Sequence, residues 1–201
     1  MINQQPGPTS TMTWTTFLLF LFMFVTHAYE NEKPLKPCQA LQETSHLSSL
    51  FVRLLSRRLT FALLGAHDGV ANDHAYKLAV RHRWSGVALE PHFLHYNTAL
   101  ETYHAAELDV DVIHSAACTE RAEGCVFTQD LARQYAPELL ISDVEGIDDQ
   151  IVGSWLVMQK PKYIIAEIKN LVRVDEFLDE LRDLGYCVRD DKHDVYAILN
   201  D

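Results

Sequence analysis

Leu63-Leu64-Gly65-Ala66-His67-Asp68-Gly69 is the end of an apolar run that stops at two glycines. A second short run, Gly86-Val87-Ala88-Leu89, ends in Glu90-Pro91. A buried strand, a glycine turn, a helix and a second strand ending in a carboxylate form the first half of a nucleotide pocket. Glycine lets the backbone approach a ligand closely, and the helix that follows offers unpaired N–H groups. The order of these segments therefore predicts a β–α–β unit with a ligand at the glycine turn.

The rest of the chain continues this alternation. Further strands are predicted at 110–115, 139–142, 163–168, 186–189 and 195–199, and helices at 73–83, 93–103, 129–135, 147–158 and 175–184. Residues 118–128 are predicted to be a loop. We predict an α/β fold, a Rossmann-like, doubly wound, mostly parallel seven-stranded sheet with an antiparallel last strand. Ligands bind such sheets beyond the carboxyl ends of the strands, where the chain places Gly65, Glu90, Ala116, Asp143 and Glu167.

The first 28 residues differ from the remainder. They contain no Asp, Glu, Lys or Arg, and an apolar segment over 14–25 precedes Thr26-His27-Ala28, which suits a cleavage site. The segment is shorter than the roughly twenty apolar residues that span a bilayer. We predict a signal peptide or an uncleaved signal anchor at 1–28, an extended linker at 29–44 and one domain at 45–201, whose first helix Ser45 caps. The expected location is secreted or in the lumen of the endoplasmic reticulum or Golgi, or membrane-anchored through 14–28.

The net charge limits the possible binding partners, and the cysteines indicate possible disulfides. The 201-residue chain has a net charge of −11, which repels phosphate backbones, so we expect no nucleic-acid partner. Cys38, Cys118, Cys125 and Cys187 permit two disulfides in three connectivities in an oxidising compartment. Cys118 with Cys125 would close a small loop and leave Cys38 for Cys187, and four free thiols are the alternative. The absence of a CxxC pair argues against zinc.

The glycine turn also discriminates between cofactors. Dinucleotide-binding domains usually carry GxGxxG, whereas this chain has only Gly65 and Gly69 with Asp68 between them, and it has no P-loop. A pyrophosphate is unfavourable beside a carboxylate, so we predict a phosphate-free adenosine cofactor, S-adenosylmethionine. Glu90 would hold the ribose and Ser115-Ala116 would flank the adenine. The predicted cofactor-binding residues are Gly65, Ala66, His67, Asp68, Gly69, Glu90, Pro91, Ser115, Ala116 and Asp143.

Five segments follow one another along the chain: Gly65-Ala66-His67-Asp68-Gly69, Glu90-Pro91, Ser115-Ala116-Ala117, Asp143-Val144-Glu145-Gly146 and Pro161-Lys162-Tyr163-Ile164-Ile165-Ala166-Glu167. In this order they resemble the FkbM-type family of S-adenosylmethionine-dependent methyltransferases, from about Thr60 to the C-terminus. The resemblance implies a Rossmann-like sheet with a reversed last strand and methylation chiefly of oxygen, often on sugars or secondary metabolites. Leu63 replaces an acidic or amidic residue of the family, His67 stands where Asn is common, and the stretch between Ala117 and Leu139 is short.

Carboxylates at strand ends are the candidate catalytic groups, because they can orient an acceptor hydroxyl or remove its proton. Asp143 is the first candidate and Glu145 the second, and Glu167 is predicted to contact the acceptor. Each has a structural alternative. Asp143 can cap the following helix, and Glu145 can be a first-turn carboxylate that the helix dipole favours. Glu167 can be a solvated carboxylate at the end of its strand. Asp68 can close its own turn, and Glu90 can be a surface carboxylate.

Metal binding is not predicted. His92 and His95 have i, i+3 spacing but no evident third ligand, and both are expected on an exposed helix start. His67 is the one histidine expected in the pocket. Asp143 with Asp148 and Asp149 could hold a divalent cation, although the latter two are more simply solvated helix residues.

These observations predict a methyltransferase that acts on a hydroxyl of a glycan or other small polar acceptor. The alternative is a non-catalytic protein of the same fold in the secretory pathway, which Leu63 and the short acceptor region suggest. A nicotinamide-dependent oxidoreductase is a weaker third hypothesis because the third glycine is missing. The oligomeric state is open.

Overall fold

A computed structural model describes residues 36–44, 47–69 and 75–200. The predicted signal segment at 1–28 and the predicted helix cap Ser45 lie outside the described residues. The chain divides into two units after Lys36, and nearly all of the description concerns the second, Pro37–Asp201. Within the described ranges, every helix is too short or too polar to cross a membrane.

Helices and strands alternate along most of the described chain. The helices are α1 Pro37–Glu43, α2 Leu47–Leu55, α3 Tyr76–His82, α4 Phe93–Ala105, α5 Thr128–Tyr135, α6 Asp148–Leu156 and α7 Val174–Asp183. The strands are β1 Thr60–Leu64, β2 Ser85–Leu89, β3 Asp109–Ile113, β4 Ala116–Cys118, β5 Cys125–Phe127, β6 Leu139–Ser142, β7 Tyr163–Glu167, β8 Tyr186–Asp190 and β9 Asp194–Leu199.

Seven of these strands form the main sheet in the order β3-β2-β1-β6-β7-β9-β8. The pairs from β3 to β7 are parallel, whereas β9 is antiparallel to both β7 and β8. Leu64 at the end of β1 is in register with Leu89 of β2 and Ser142 of β6. The predicted fold class is therefore confirmed, and the carboxyl ends of three neighbouring strands meet at one edge.

The core lies on both faces of this sheet. Along β1, Phe61 and Leu63 pack into one apolar cluster with residues of α1 to α4, while Ala62 and Leu64 pack into another with residues of α5 to α7. Side chains alternate between the faces of a strand, so a strand covered on both sides is apolar throughout. This is why the strand runs could be recognised from the sequence.

The predicted linker is wrong over Pro37–Glu43, which forms α1. Leu41 of this helix is fully buried, and the guanidinium of Arg189 donates to the carbonyl of Leu41. A disulfide joins Cys38 to Cys187 of β8. Proline is tolerated in the first turn of a helix, where its missing N–H has no intrahelical partner, so Pro37 starts a helix here.

The third predicted strand and the loop after it also differ from the structure. β3 ends at Ile113, and Ala116–Cys118 pairs instead with Cys125–Phe127 in a separate two-stranded parallel sheet. Cys118 and Cys125 form the second disulfide, and none of the four cysteines is free. The connectivity considered from the sequence is confirmed, and the alternative of free thiols is wrong.

Candidate functional site

A cavity of about 530 Å³ lies at the carboxyl edge of the main sheet. Its size falls in the range of small-molecule sites. Thirteen residues line it: Gly65, His67, Leu89, Glu90, Pro91, His95, Ser115, Ala116, Ala117, Asp143, Val144, Glu145 and Ile147. They come from the ends of β1, β2, β3 and β6, from β4 and from the first turn of α4, so one crevice collects segments that are far apart in sequence.

Gly65 makes the turn at the end of β1 possible. Its φ is +89°, and a Cβ there would lie 1.9 Å from the carbonyl oxygen of Asp143. The amides of Gly65 and Ala66 both donate to the carbonyl of Leu89, at 3.0 and 2.9 Å. The glycine therefore allows the ends of β1, β2 and β6 to approach one another, which forms the floor of the cavity.

Glu90 is the most buried charged side chain of the cavity, with 5% exposed. One carboxylate oxygen accepts the amide N–H of His67 at 2.7 Å, and the other accepts the amide N–H of His92 at 2.7 Å. A carboxylate oxygen can accept two hydrogen bonds, so each oxygen has capacity for a second donor. Glu90 thus holds the glycine turn against the end of β2 and can also accept a ligand diol. The surface-carboxylate alternative is wrong.

Three histidine rings lie next to one another beside Glu90, tilted by 40° and 43° between neighbours. The ring centroids of His67 and His95 are 3.9 Å apart, and those of His95 and His92 are 4.6 Å apart. His95 lines the cavity, and its Nδ1 lies 4.0 Å from a Glu90 oxygen. The expectation that His67 is the one histidine of the pocket is therefore wrong, because the first turn of α4 carries His95 inward.

The loop after β6 is organised by Asp148, which is fully buried. Its carboxylate accepts the hydroxyl of Ser142 at 2.6 Å and the amides of Val144 and Gly146 at 3.1 and 3.3 Å. Burial raises the pKa of Asp148, and these hydrogen bonds act in the opposite direction. The prediction of a solvated Asp148 is wrong. Asp143 does not cap the helix either, since α6 begins only at Asp148.

Asp143, Glu145 and Glu167 each offer a carboxylate oxygen within 4.8 Å of the other two. Asp143 and Glu145 line the cavity, and Glu145, with φ +59°, also accepts the side-chain amide of Asn170 at 2.9 Å. Oxygen ligands of this kind suit a hard divalent cation. The cluster differs from the cation set considered above, because Asp148 is directed into the loop while β7 brings in Glu167.

Glu167 lies at the end of β7, next to β6 in the sheet. Burial raises the pKa of Glu167, and the neighbouring charges of Asp143, Glu145 and Asp148 raise it further, against the opposing effect of Lys169. One of its carboxylate oxygens is buried and has no hydrogen-bond partner. Glu167 is thus part of an acidic cluster beside the cavity, which differs from a simple solvated strand end.

Replacing Glu167 by glutamine is expected to stabilise the protein at pH 7.5 and to have no such effect at pH 4. A raised folded-state pKa contributes stability below the ordinary value of 4.5, and that stability is lost as pH rises through the folded pKa. Melting temperatures measured at both pH values with a chelator present should show a gain of a few degrees only at pH 7.5. Glu180→Gln, on the exposed face of α7, is the control, and an equal shift at both pH values would contradict this explanation.

Most of the predicted site residues line the cavity, but four do not. Ala66 is buried at 1% exposure behind the turn, and Gly69 packs against Ala99, so that a Cβ would lie 3.0 Å from the Ala99 Cα. Asp68 is half-buried with one carboxylate oxygen 3.6 Å from Nδ1 of His67, and a carboxylate oxygen of Glu167 lies within 4.8 Å of one of Asp143. Sequence reasoning missed five lining residues, Leu89, His95, Ala117, Val144 and Ile147. Ala117 and Val144 belong to segments that resemble the FkbM-type family, and His95 was considered only as a metal ligand. Leu89 and Ile147 had no signal other than their neighbours in sequence.

Of the comparisons with known proteins, the one with solved structures gives matches, and these agree on the fold. No family model matches the chain, and no curated protein matches it in sequence. Among solved structures, precorrin-6y C5,15-methyltransferase from Geobacter metallireducens GS-15 aligns with a TM-score of 0.55 and 13% identity, over 79% of this chain and 90% of that one. A methyltransferase from Geobacter sulfurreducens aligns with a TM-score of 0.52 and 12% identity, over 89% and 98%.

A third structure, M. capricolum TrmK in complex with S-adenosylhomocysteine, aligns with a TM-score of 0.50 and 12% identity, over 77% of this chain and 67% of that one. At these identities the likeness concerns the fold. Together with the strand order and the single antiparallel strand, it shows that this chain has the Rossmann-like fold of the class I methyltransferases.

Proposed function

We propose that this chain is an S-adenosylmethionine-dependent methyltransferase that methylates a hydroxyl of a glycan or other small polar acceptor. The observation that carries the proposal is the convergence of Gly65, Glu90, Ser115 and Asp143 on one cavity. These residues follow four different strands, and open α/β sheets bind their ligands beyond the carboxyl ends of the strands. The fold by itself would not support a function, since one fold hosts many activities.

The charges of the cavity favour this cofactor over a dinucleotide. The lining residues include the carboxylates of Glu90, Asp143 and Glu145, and among the described residues no Lys or Arg lines the cavity. Such a site attracts a sulfonium cation and repels a pyrophosphate. The complex of TrmK with S-adenosylhomocysteine supports the same cofactor class for this fold.

When bound, the cofactor supplies an electrophilic methyl group, and the protein aligns the acceptor and manages its proton. We assign proton acceptance from the acceptor hydroxyl to Asp143, with Glu145 as the neighbouring carboxylate of the same loop. Both line the cavity, and the Asp148 hydrogen bonds to Val144 and Gly146 hold the backbone between and beyond them. We keep contact with the acceptor as the proposed role of Glu167, which lies outside the cavity lining but has a carboxylate oxygen within 4.8 Å of one of Asp143.

The two disulfides support a location in the secretory pathway, as proposed from the apolar segment at 14–28. Disulfides persist in oxidising compartments and are rare in the cytosol. Cys38–Cys187 and Cys118–Cys125 together use every cysteine of the chain. The FkbM resemblance remains a prediction from the sequence and is the reason for proposing a glycan or similar acceptor.

Replacing Glu90 by alanine is expected to weaken binding of S-adenosylhomocysteine about 10- to 100-fold, because hydrogen bonds to a charged group contribute roughly 1.5 kcal/mol or more each. Isothermal titration calorimetry of the full-length chain with S-adenosylmethionine, S-adenosylhomocysteine and NAD measures this and identifies the cofactor class. Glu101→Ala, an exposed carboxylate on α4, is the matched control and should bind like the wild type. Melting temperatures recorded in parallel separate loss of the ligand from loss of the turn that Glu90 holds.

Two results would contradict the proposal. If the Glu90→Ala variant binds as tightly as the wild type, Glu90 does not contact the cofactor. If the wild type binds NAD but neither S-adenosylmethionine nor S-adenosylhomocysteine, the oxidoreductase hypothesis is favoured. Turnover with the methyl donor against a panel of hydroxyl acceptors then decides between an enzyme and a non-catalytic binding protein.

A further inference from the structure

One wall of the cavity does not belong to the main sheet. This wall consists of Ser115, Ala116 and Ala117, all of which line the cavity. The main-sheet strand before it, β3, ends at Ile113, and the wall continues directly into Cys118. The position of the wall therefore depends on the contacts of the segment after β3. This dependence is the same for every class of ligand that fills the cavity.

Outside the second disulfide, noncovalent contacts hold the wall. Ala117 packs against the core cluster of α5 to α7, and Arg121 of the connecting loop forms a solvent-exposed ion pair with Asp130 of α5 at 2.8 Å. The backbone of the wall pairs with β5 over three residue pairs, in a sheet of only two strands. A two-stranded sheet is marginally stable by itself in water, so this one depends on its packing against the core and on the disulfide. The residues at 120–124, which connect the two strands, are exposed and add little apolar packing.

The partner strand β5, in contrast, is tied to the core. It leads directly into α5, whose first residue, Thr128, is fully buried. The Thr128 hydroxyl contacts the carbonyl of Cys118 at 3.2 Å and the hydroxyl of Ser154 in α6 at 2.8 Å. The disulfide from Cys118 to Cys125 is thus a covalent link between the cavity wall and a strand that is itself anchored.

We propose that the Cys118–Cys125 disulfide is a positioning element of the cofactor site, which holds the Ser115–Ala117 wall in place so that tight cofactor binding requires the bond. This inference rests on the proposed function for the identity of the ligand. Without the link, the wall would occupy its cavity-lining position for only part of the time. The apparent Kd rises in inverse proportion to the fraction of binding-competent molecules. If about a tenth of the molecules are binding-competent, the apparent Kd is about tenfold higher.

The other disulfide provides a matched control in the same chain. Cys38–Cys187 joins α1 to β8, which is the strand at the far end of the main sheet from β3. Neither of these cysteines lines the cavity. Removing this bond should lower the melting temperature while leaving the affinity of the folded protein unchanged.

The test compares Cys118→Ser/Cys125→Ser with Cys38→Ser/Cys187→Ser in the full-length chain made through an oxidising secretory route. Calorimetry with S-adenosylhomocysteine should give an affinity at least about tenfold weaker for the first variant and near wild type for the second. Hydrogen exchange of peptides that cover 110–127 should show faster exchange only in the first variant. Equal affinities of the two variants would overturn the inference, and a wild type that binds no cofactor would overturn it together with the proposed function.

If the first variant does not fold, the second variant, in which Cys118–Cys125 is the remaining disulfide, is reduced with a water-soluble phosphine. The reaction consumes one water and yields two thiols and a phosphine oxide. Circular dichroism and binding are followed at each phosphine concentration. Loss of binding while the protein remains folded supports the inference, whereas binding that survives reduction, or that disappears only with the fold, overturns it.

Discussion

A Gly65→Ala variant is expected to lose most of the native fold, together with binding of S-adenosylhomocysteine. The new Cβ would lie 1.9 Å from the carbonyl oxygen of Asp143, which is backbone and cannot rotate away. The residue would also have to adopt a φ of +89°, which L-amino acids with a Cβ disfavour. We expect a loss of more than about 4 kcal/mol in the free energy of unfolding, a size that marks the exceptional substitutions. Chemical denaturation of the full-length chain measures it.

Gly185→Ala separates the two causes of that loss. Gly185 has a similar φ of +94°, but a Cβ there would have nothing within 4 Å. This control carries the backbone cost without the collision, so it should lose only about 1–2 kcal/mol. If the two variants were equally stable, the close approach of β1 to the end of β6 would not be a requirement of the fold.

Asp148→Ala is expected to produce the second-largest effect. The change removes the acceptor for three donors, the hydroxyl of Ser142 and the amides of Val144 and Gly146. Each buried donor that is left unsatisfied costs about 1–3 kcal/mol, so we expect a total loss of about 3–5 kcal/mol after partial relaxation. Because the same loop carries Asp143 and Glu145, methyl transfer should fall further than stability alone explains.

The neighbouring Asp149 supplies the control for this substitution. It also lies in the first turn of α6, but its carboxylate accepts a hydrogen bond from the amide of the next residue, Gln150, at 2.8 Å. Asp149→Ala should therefore cost less than about 1 kcal/mol. The melting temperatures of both variants are measured at pH 7. If they are similar, Asp148 does not organise the loop after β6.

The strands of the main sheet could be predicted because burial on both faces leaves a direct trace in the sequence. The runs at 61–64 and 139–142 are apolar at nearly every position, and the structure places their residues in the core. The three-residue strands β4 and β5 leave no comparable trace, because they are too short to show a period and all six residues are half-buried. Helix α1 was missed because Pro34, before it, and Pro37, its first residue, together favour an extended chain.

Polar residues of the site were harder to predict than the strands. Glu90 and Asp143 were found because they follow apolar runs directly. Asp148 resembles any first-turn carboxylate in the sequence, and only the loop that folds over it reveals that it is buried. His95 looked exposed for the same reason, since its direction depends on how α4 leaves β2.

The amino-acid sequence by itself determined the strands of the main sheet and the helices between them, the parallel pairing and the glycine turn, because local apolar runs and residue types encode them. Only the tertiary structure decided which carboxylates meet, which disulfides form and which segment walls the cavity. Glu167 reaches Asp143 because β7 pairs with β6, and Cys118 reaches Cys125 because the chain leaves the main sheet after β3. Such contacts depend on how the chain folds, because the separation of two residues in sequence does not fix their distance in space.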